Sequence, residues 1–203
     1  MRSYDQDYYF IRKENGDHLP SLTATEDTVD RGYTYQRQPP GSAPLMFFNG
    51  AKDYQKKLGI RSVQHPPDIL FNGNFMVVRT RIRDALIQLD IPSLHVHPAV
   101  YMHDDGIWHE DYWFLAFSEL FDCWDRERSD YEEEPLELGG FKLHSVYAYS
   151  LNTALLDQVP LERRLFFKMG GTQDGFMVCH QDIAGLFRGN GKNGALLQPI
   201  SAY

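Results

Sequence analysis

The sequence predicts an α+β protein: two similar small lobes, each a few mostly antiparallel strands with a helix laid on them, sharing one core. Three observations carry this. Residues 68–100, DILFNGNFMVVRTRIRDALIQLDIPSLHVHPAV, change period along their length. Asp68 to Phe71 and Phe75 to Val78 read as strands around the hairpin signal Asn72-Gly73. From Thr80 the apolar residues Ile82, Ala85, Leu86 and Leu89 fall at helical spacing, Pro92 ends the helix, and Leu94 opens another strand. The second observation is that this plan recurs in residues 164–200. A shift of 101 places Phe75 on Phe176, Met76 on Met177, Val77 on Val178, Ile82 on Ile183 and Pro98 on Pro199. The third is length. A chain of 203 residues with 42% apolar residues suits one domain, residues 1–203, in which two lobes share a core.

The remaining elements follow in order. Asp7 to Lys13 is a first strand, closed by the turn Glu14-Asn15-Gly16-Asp17. Residues 22–45, with Pro39, Pro40, Gly41 and Pro44, read as a long mobile loop. Asn49 to Leu58 suits a short helix stopped by Gly59. Between the lobes the sequence predicts a hairpin over residues 95–114, an acidic segment, a strand pair around Phe141 to Tyr149, and a short helix from Leu151 to Gln158. Cys123 and Cys179 lie beside apolar residues, so two buried reduced thiols are expected. The start, MRSYDQDYYFIRK, has no apolar run, and no window approaches the ~18 apolar residues of a spanning helix. A soluble cytoplasmic protein is expected.

The net charge of −8 is concentrated. Tyr101 to Leu138 holds thirteen acids and two arginines, whereas the rest holds fifteen acids against eighteen bases. Such a field repels nucleic acid and attracts basic partners, although acidic runs are also commonly solvated faces. Aromatic residues are interleaved with these acids rather than with bases, which argues against a single-strand nucleic-acid platform.

The stretch HVHPAVYMHDDGIWHEDYWF, residues 95–114, resembles a metal site. His95 and His97 form an H-x-H pair, and His109 or Asp111 could add a third ligand for a metal-dependent hydrolase. Strand parity gives a simpler account. His95, His97, Tyr101 and His103 share one face, and Val96, Val100 and Met102 the other. A turn at Asp104-Asp105-Gly106 sets Met102 opposite Trp108, Tyr101 opposite His109, Ala99 opposite Asp111 and Val96 opposite Phe114. In that register the histidines form a spread row on the outer face of an amphipathic hairpin, and Trp108 falls on the apolar face.

No other catalytic pattern stands out. GNGKNG (residues 189–194) follows a helix rather than opening one, so it reads as a helix stop and turn, not a phosphate cradle. GGTQDG (residues 170–175) reads as a hairpin loop, and neither a G-x-S-x-G elbow nor an H-E-x-x-H pair is present. No catalytic residues, cofactor or resident metal are expected.

Four stretches carry a family resemblance: FMVVRTRIRDALIQLDIPSLHVHPAV, DYWFLAFSELFDCWDRERSDY, ERRLFFKM and FMVCHQDIAGLF, together spanning residues 68–200 loosely. They resemble immunity protein family eleven of the bacterial polymorphic toxin systems. Two departures are Arg79 near a place usually held by serine and the expanded GNGKNG before the last strand. The resemblance implies a non-enzymatic protein that binds and neutralises a cognate toxin delivered by secretion, as in type VI systems, or by contact. The acidic belt fits a basic toxin domain such as a nuclease. On that reading Asp104, Asp105, Glu110 and Asp111 are steering charges, and Trp108 is an anchor.

Overall fold

The computed structural model describes residues 4–34, 37–188 and 193–203. In chain order its elements are β1 (Tyr8–Lys13), β2 (Leu22–Ala24), α1 (Glu26–Asp30), β3 (Leu45–Asn49), α2 (Lys52–Lys57), β4 (Ile69–Asn72), β5 (Phe75–Arg79), α3 (Thr80–Gln88), β6 (Leu94–Met102) and β7 (Trp108–Phe117). There follow β8 (Asp130–Tyr131), β9 (Leu136–Leu138), β10 (Phe141–Leu143), β11 (Val146–Ala148), α4 (Thr153–Asp157), β12 (Phe166–Lys168), β13 (Met177–His180), α5 (Gln181–Ala184) and β14 (Ala195–Pro199).

Two sheets dominate. One has the order β2-β3-β6-β7-β5-β4, the other β12-β13-β1-β14. Their pairs are antiparallel except β3 with β6. The fold is α+β, as the sequence predicts.

The internal repeat is exact in the starts of its helix and of its last strand, each 101 residues apart. α3 opens at Thr80 and α5 at Gln181; β6 opens at Leu94 and β14 at Ala195. In each copy a hairpin leads into a helix, which crosses to a strand that does not pair directly with the hairpin. The gap is filled by β7 in the first copy and by β1, from the opposite end of the chain, in the second.

Strand alternation then builds three cores. Met76 and Val78 of β5, with Leu115 of β7, face Ile82 and Leu86 of α3. The same cluster takes in Ile11, Met177, Cys179, Ile183 and Phe187, so the two copies share it. Val77, Tyr112 and Phe114 face the other way, toward Leu22, Tyr33 and Phe47. The far face of the smaller sheet packs Phe10 and Val178 on Trp124, Tyr149 and Leu156. Cys123 and Cys179 are buried and unbridged, and burial pushes both thiols up.

Four expectations need correction. Residues 22–45 read as a loop from their prolines, yet they carry β2 and α1 and bury Leu22, Thr28, Tyr33 and Leu45. Tertiary packing overrides local turn chemistry there. The histidine face of β6 is therefore not an outer face, because that segment covers it. The strand pair near residues 141–149 is two ribbons, β9 with β10 and β8 with β11. The β6–β7 register holds for Met102–Trp108 and Tyr101–His109, then slips by one residue at a β-bulge. Below the bulge Ala99 pairs with Tyr112 and His97 with Phe114. One extra residue on β7 reverses which parity faces which core. Most of GNGKNG, residues 189–192, lies outside the described residues.

Asn193 and Gly194 tie the two sheets together. The Ile69 N–H donates to the Asn193 carbonyl at 2.9 Å, and the Glu14 N–H donates to that of Gly194 at 3.0 Å. Gly194 has φ +80°, and a Cβ there would stand 2.5 Å from the Ile69 oxygen. Gly194→Ala combines a left-handed strain with a backbone clash, so a loss of about 2 kcal/mol is expected. Urea unfolding of the variant beside the wild type measures it.

Candidate functional site

The five residues singled out as a binding site lie together at the tip of the β6–β7 hairpin, but they are not equivalent. The turn forms as its sequence dictates. Gly106 has φ +86°, and its N–H donates to the His103 carbonyl at 2.9 Å. The Asp105 carboxylate accepts from the Ile107 N–H at 2.9 Å, which closes a local turn and leaves the side chain exposed.

Asp104 is a structural anchor rather than a loose charge. Its Oδ2 accepts from Asn49 Nδ2 and from Ser62 Oγ, both at 2.9 Å, and Lys52 Nζ donates to its carbonyl at 3.1 Å. Asn49 is buried at the end of β3. Its second Nδ2 bond goes to Gln55 Oε1 at 2.9 Å, and its Oδ1 accepts from the Ser21 and Ala51 N–H groups at 3.0 Å. Gln55 in turn reaches the Asp17 carbonyl at 2.8 Å. The network satisfies every polar group of a buried amide and pins the hairpin tip to α2.

Asp111 is also engaged. It pairs with Arg79, whose guanidinium lies 4.2 Å from the Tyr112 ring centroid. Arg79, noted in the sequence only as a departure from a family pattern, thus holds the bulge. Glu110 and Asp105 remain as exposed carboxylates.

Trp108 does not take the core packing that its place on the apolar face would imply. It is 58% exposed, and Ile107 beside it is 55% exposed. The tip extends past the elements that cover the sheet, so the apolar-face register gives Trp108 no core to enter. The sequence signal for Ile107 was available: an aliphatic residue between a turn glycine and a tryptophan.

The histidine row does not assemble a metal site. Among the described residues no three His, Cys, Asp or Glu side chains are gathered where they could hold a metal ion. His97 Nε2 lies 3.0 Å from the Ala43 carbonyl and 3.3 Å from Arg31 Nη2. His95 lines a cavity of about 420 Å³ with Tyr33, Arg37 and Phe114, whereas His109 lies at the tip, its ring 6.0 Å from that of His103. The bulge and the covering segment 37–43 separate the residues that parity had placed in one row, so the hydrolase reading lacks its ligand set.

A comparison with known families matches the Immunity protein family (Imm11) over residues 9–156. The chain belongs to that family. The match spans most of the chain and runs from β1 through α4, so it includes the acidic hairpin tip and the ribbons β8–β11. No curated protein matches the chain. Among the described residues of this immunity protein, no helix is long and apolar enough to cross a membrane.

Two outcomes follow for this hairpin. Asn49→Ala leaves the Asp104 and Gln55 groups short of partners, so a loss of about 2 kcal/mol is expected. Differential scanning calorimetry should show a Tm fall of roughly 5 °C for a chain of this size. The second concerns pH. Burial, then the Arg37 charge, lowers the pKa of His95; burial, then Arg79, lowers that of His109, with Asp111 opposing. Folded protein therefore binds fewer protons than unfolded chain below about pH 6.5, and this part of the stability is lost as pH falls through that range. The urea midpoint should drop between about pH 7.5 and about pH 5.5. It should drop less in the double variant His95→Gln, His109→Gln.

Proposed function

We propose that this immunity protein acts in the cytoplasm as a non-enzymatic inhibitor, binding one cognate toxin domain through the acidic tip of the β6–β7 hairpin. The observation that carries the reading is the exposure of Trp108 and Ile107 between exposed carboxylates. Large apolar side chains at the end of a rigid hairpin are costly to leave in water, and aromatic anchors ringed by polar groups are the usual centre of a protein interface. The network around Asn49 supports the reading in a second way. It holds the tip in one conformation, so little ordering entropy is lost on binding.

Within this site Trp108 and Ile107 are the anchors, Asp105 and Glu110 the steering charges, and Asp104 and Asp111 the groups that hold the loop in shape. A basic toxin surface, as in a nuclease whose groove binds phosphate, fits the charge. Inhibition then needs no chemistry from the immunity protein, only occupation of its partner.

The test is a titration against the inactivated C-terminal domain encoded by the adjacent gene. A tight stoichiometric complex is expected, with association slowed as salt rises. Trp108→Ala should weaken Kd about 10- to 100-fold without lowering Tm. Absence of binding would sink the reading, and unchanged affinity in the Trp108 variant would remove the tip from the interface.

A further inference from the structure

The ribbon β9–β10 is closed by Gly139 and Gly140, with φ +58° and +85°, the pair of left-handed residues a two-residue hairpin turn requires. Its register is Phe141 opposite Leu138, Lys142 opposite Glu137 and Leu143 opposite Leu136. Residues directly opposite share a face. Leu136, Leu138, Phe141 and Leu143 therefore lie on one face, and Glu137 and Lys142 on the other. That is the pattern of a hairpin made to cover a core. Yet Leu136 is 51% exposed, Leu138 62% and Phe141 64%. None of the three enters any of the three core clusters.

The stem of the ribbon is fixed. The His144 N–H donates to the Gly171 carbonyl at 3.1 Å, and the Gln173 N–H donates to the His144 carbonyl at 2.9 Å. The blade beyond it, through Phe141, Lys142 and Leu143, forms one side of a groove of about 570 Å³ lined also by Glu119, Leu120 and Asp122; the Lys142 charge is paired with Glu137 at 3.9 Å. Leu120 is itself 46% exposed. Asp122 is held by Arg126 through two contacts of 2.6 Å, whereas Glu119 is exposed. On the approach to the ribbon Glu132, Glu133 and Glu134 are all exposed. Between Asp130 and Leu143 there are five acids and one base.

We infer that the apolar face of β9–β10 and the groove beside it form a second docking surface, occupied by a basic segment of the toxin domain. This rests on the reading of the chain as a toxin-binding immunity protein. Charge complementarity selects the occupant. An apolar centre rimmed by glutamates takes a segment that carries apolar side chains among lysines or arginines, whose aliphatic stems pack on Phe141 and Leu120 while their charges face Glu119 and the Glu132–Glu134 run. The surface is distinct from the hairpin tip. The groove begins at Ser118, just past the end of β7, whereas the anchor Trp108 opens that strand. Ten strand residues separate them by about 30 Å.

The experiment uses the full chain and the same inactivated toxin domain. The double variant Leu138→Ser, Phe141→Ser should raise Kd about tenfold or more, mainly through faster dissociation. The double variant Glu133→Lys, Glu134→Lys should slow association and flatten its salt dependence. Both sets of side chains are exposed, so Tm should match the wild type, and the charge variant keeps the test open if the apolar one misfolds. Unchanged affinity in both variants, while the wild type binds, overturns the inference and leaves the proposed function standing. If the wild type self-associates, and the apolar variant becomes monomeric with unchanged toxin affinity, the surface belongs to a second copy and the inference is overturned. If the wild type fails to bind the toxin domain, the proposed function falls and this surface with it.

Discussion

The six-stranded sheet is apolar on both faces, and most of the architecture answers that constraint. β4 and β5 bury Ile69, Leu70 and Phe71 and then Met76, Val77 and Val78, with no polar alternation between them. A sheet of this kind must be covered twice. One face takes α3 and the core shared with the second copy. The other takes the segment between β2 and β3, which brings Tyr33 against Phe47, Val77 and Phe114. The smaller sheet repeats the arrangement, with Trp124, Tyr149 and Leu156 closing its far side. Against this rule the ribbon β9–β10 is the exception, since its apolar face enters none of the core clusters formed by the described residues.

A second constraint acts at the hairpin tip. Binding surfaces on loops lose affinity if the loop must be ordered at the moment of contact. Here a buried amide at Asn49 and a carboxylate at Asp104 fix the turn from one side, and Arg79 fixes the bulge from the other. Charges that read alike in sequence thus divide into those that build the loop and those it presents.

How much of this was legible can be traced residue by residue. The repeat was readable because its signals are local: a glycine turn, a change of hydrophobic period, a proline. The hairpin turn at Gly106 was readable for the same reason. The register beyond it was not, because a bulge depends on how β7 must twist to meet β5 and β6 at once, and no single residue announces it. The cover over the histidine face was hidden because the prolines in residues 37–44 speak only of local geometry, while Tyr33 and Leu45 are drawn in by contacts far along the chain. For Trp108 the sequence left two readings open, an anchor and an apolar-face residue, because strand parity does not say where the cover over that face ends. The Gly139-Gly140 turn was as legible as the one at Asn72-Gly73, but the acids around it masked an alternating pattern.

The strand exchanged between the copies has a consequence for how the protein is made. β7 reaches its place soon after the strands it joins, so the larger sheet can close while the chain is still being synthesised. β1 is made long before its neighbours β13 and β14. Until then Tyr8, Phe10 and Ile11 have no partners. Contacts so distant in sequence form slowly, and exposed apolar strands are what proteases and chaperones recognise. An interrupted chain therefore leaves the apolar side chains of β1 uncovered, and the smaller sheet closes only once β13 and β14 have been made.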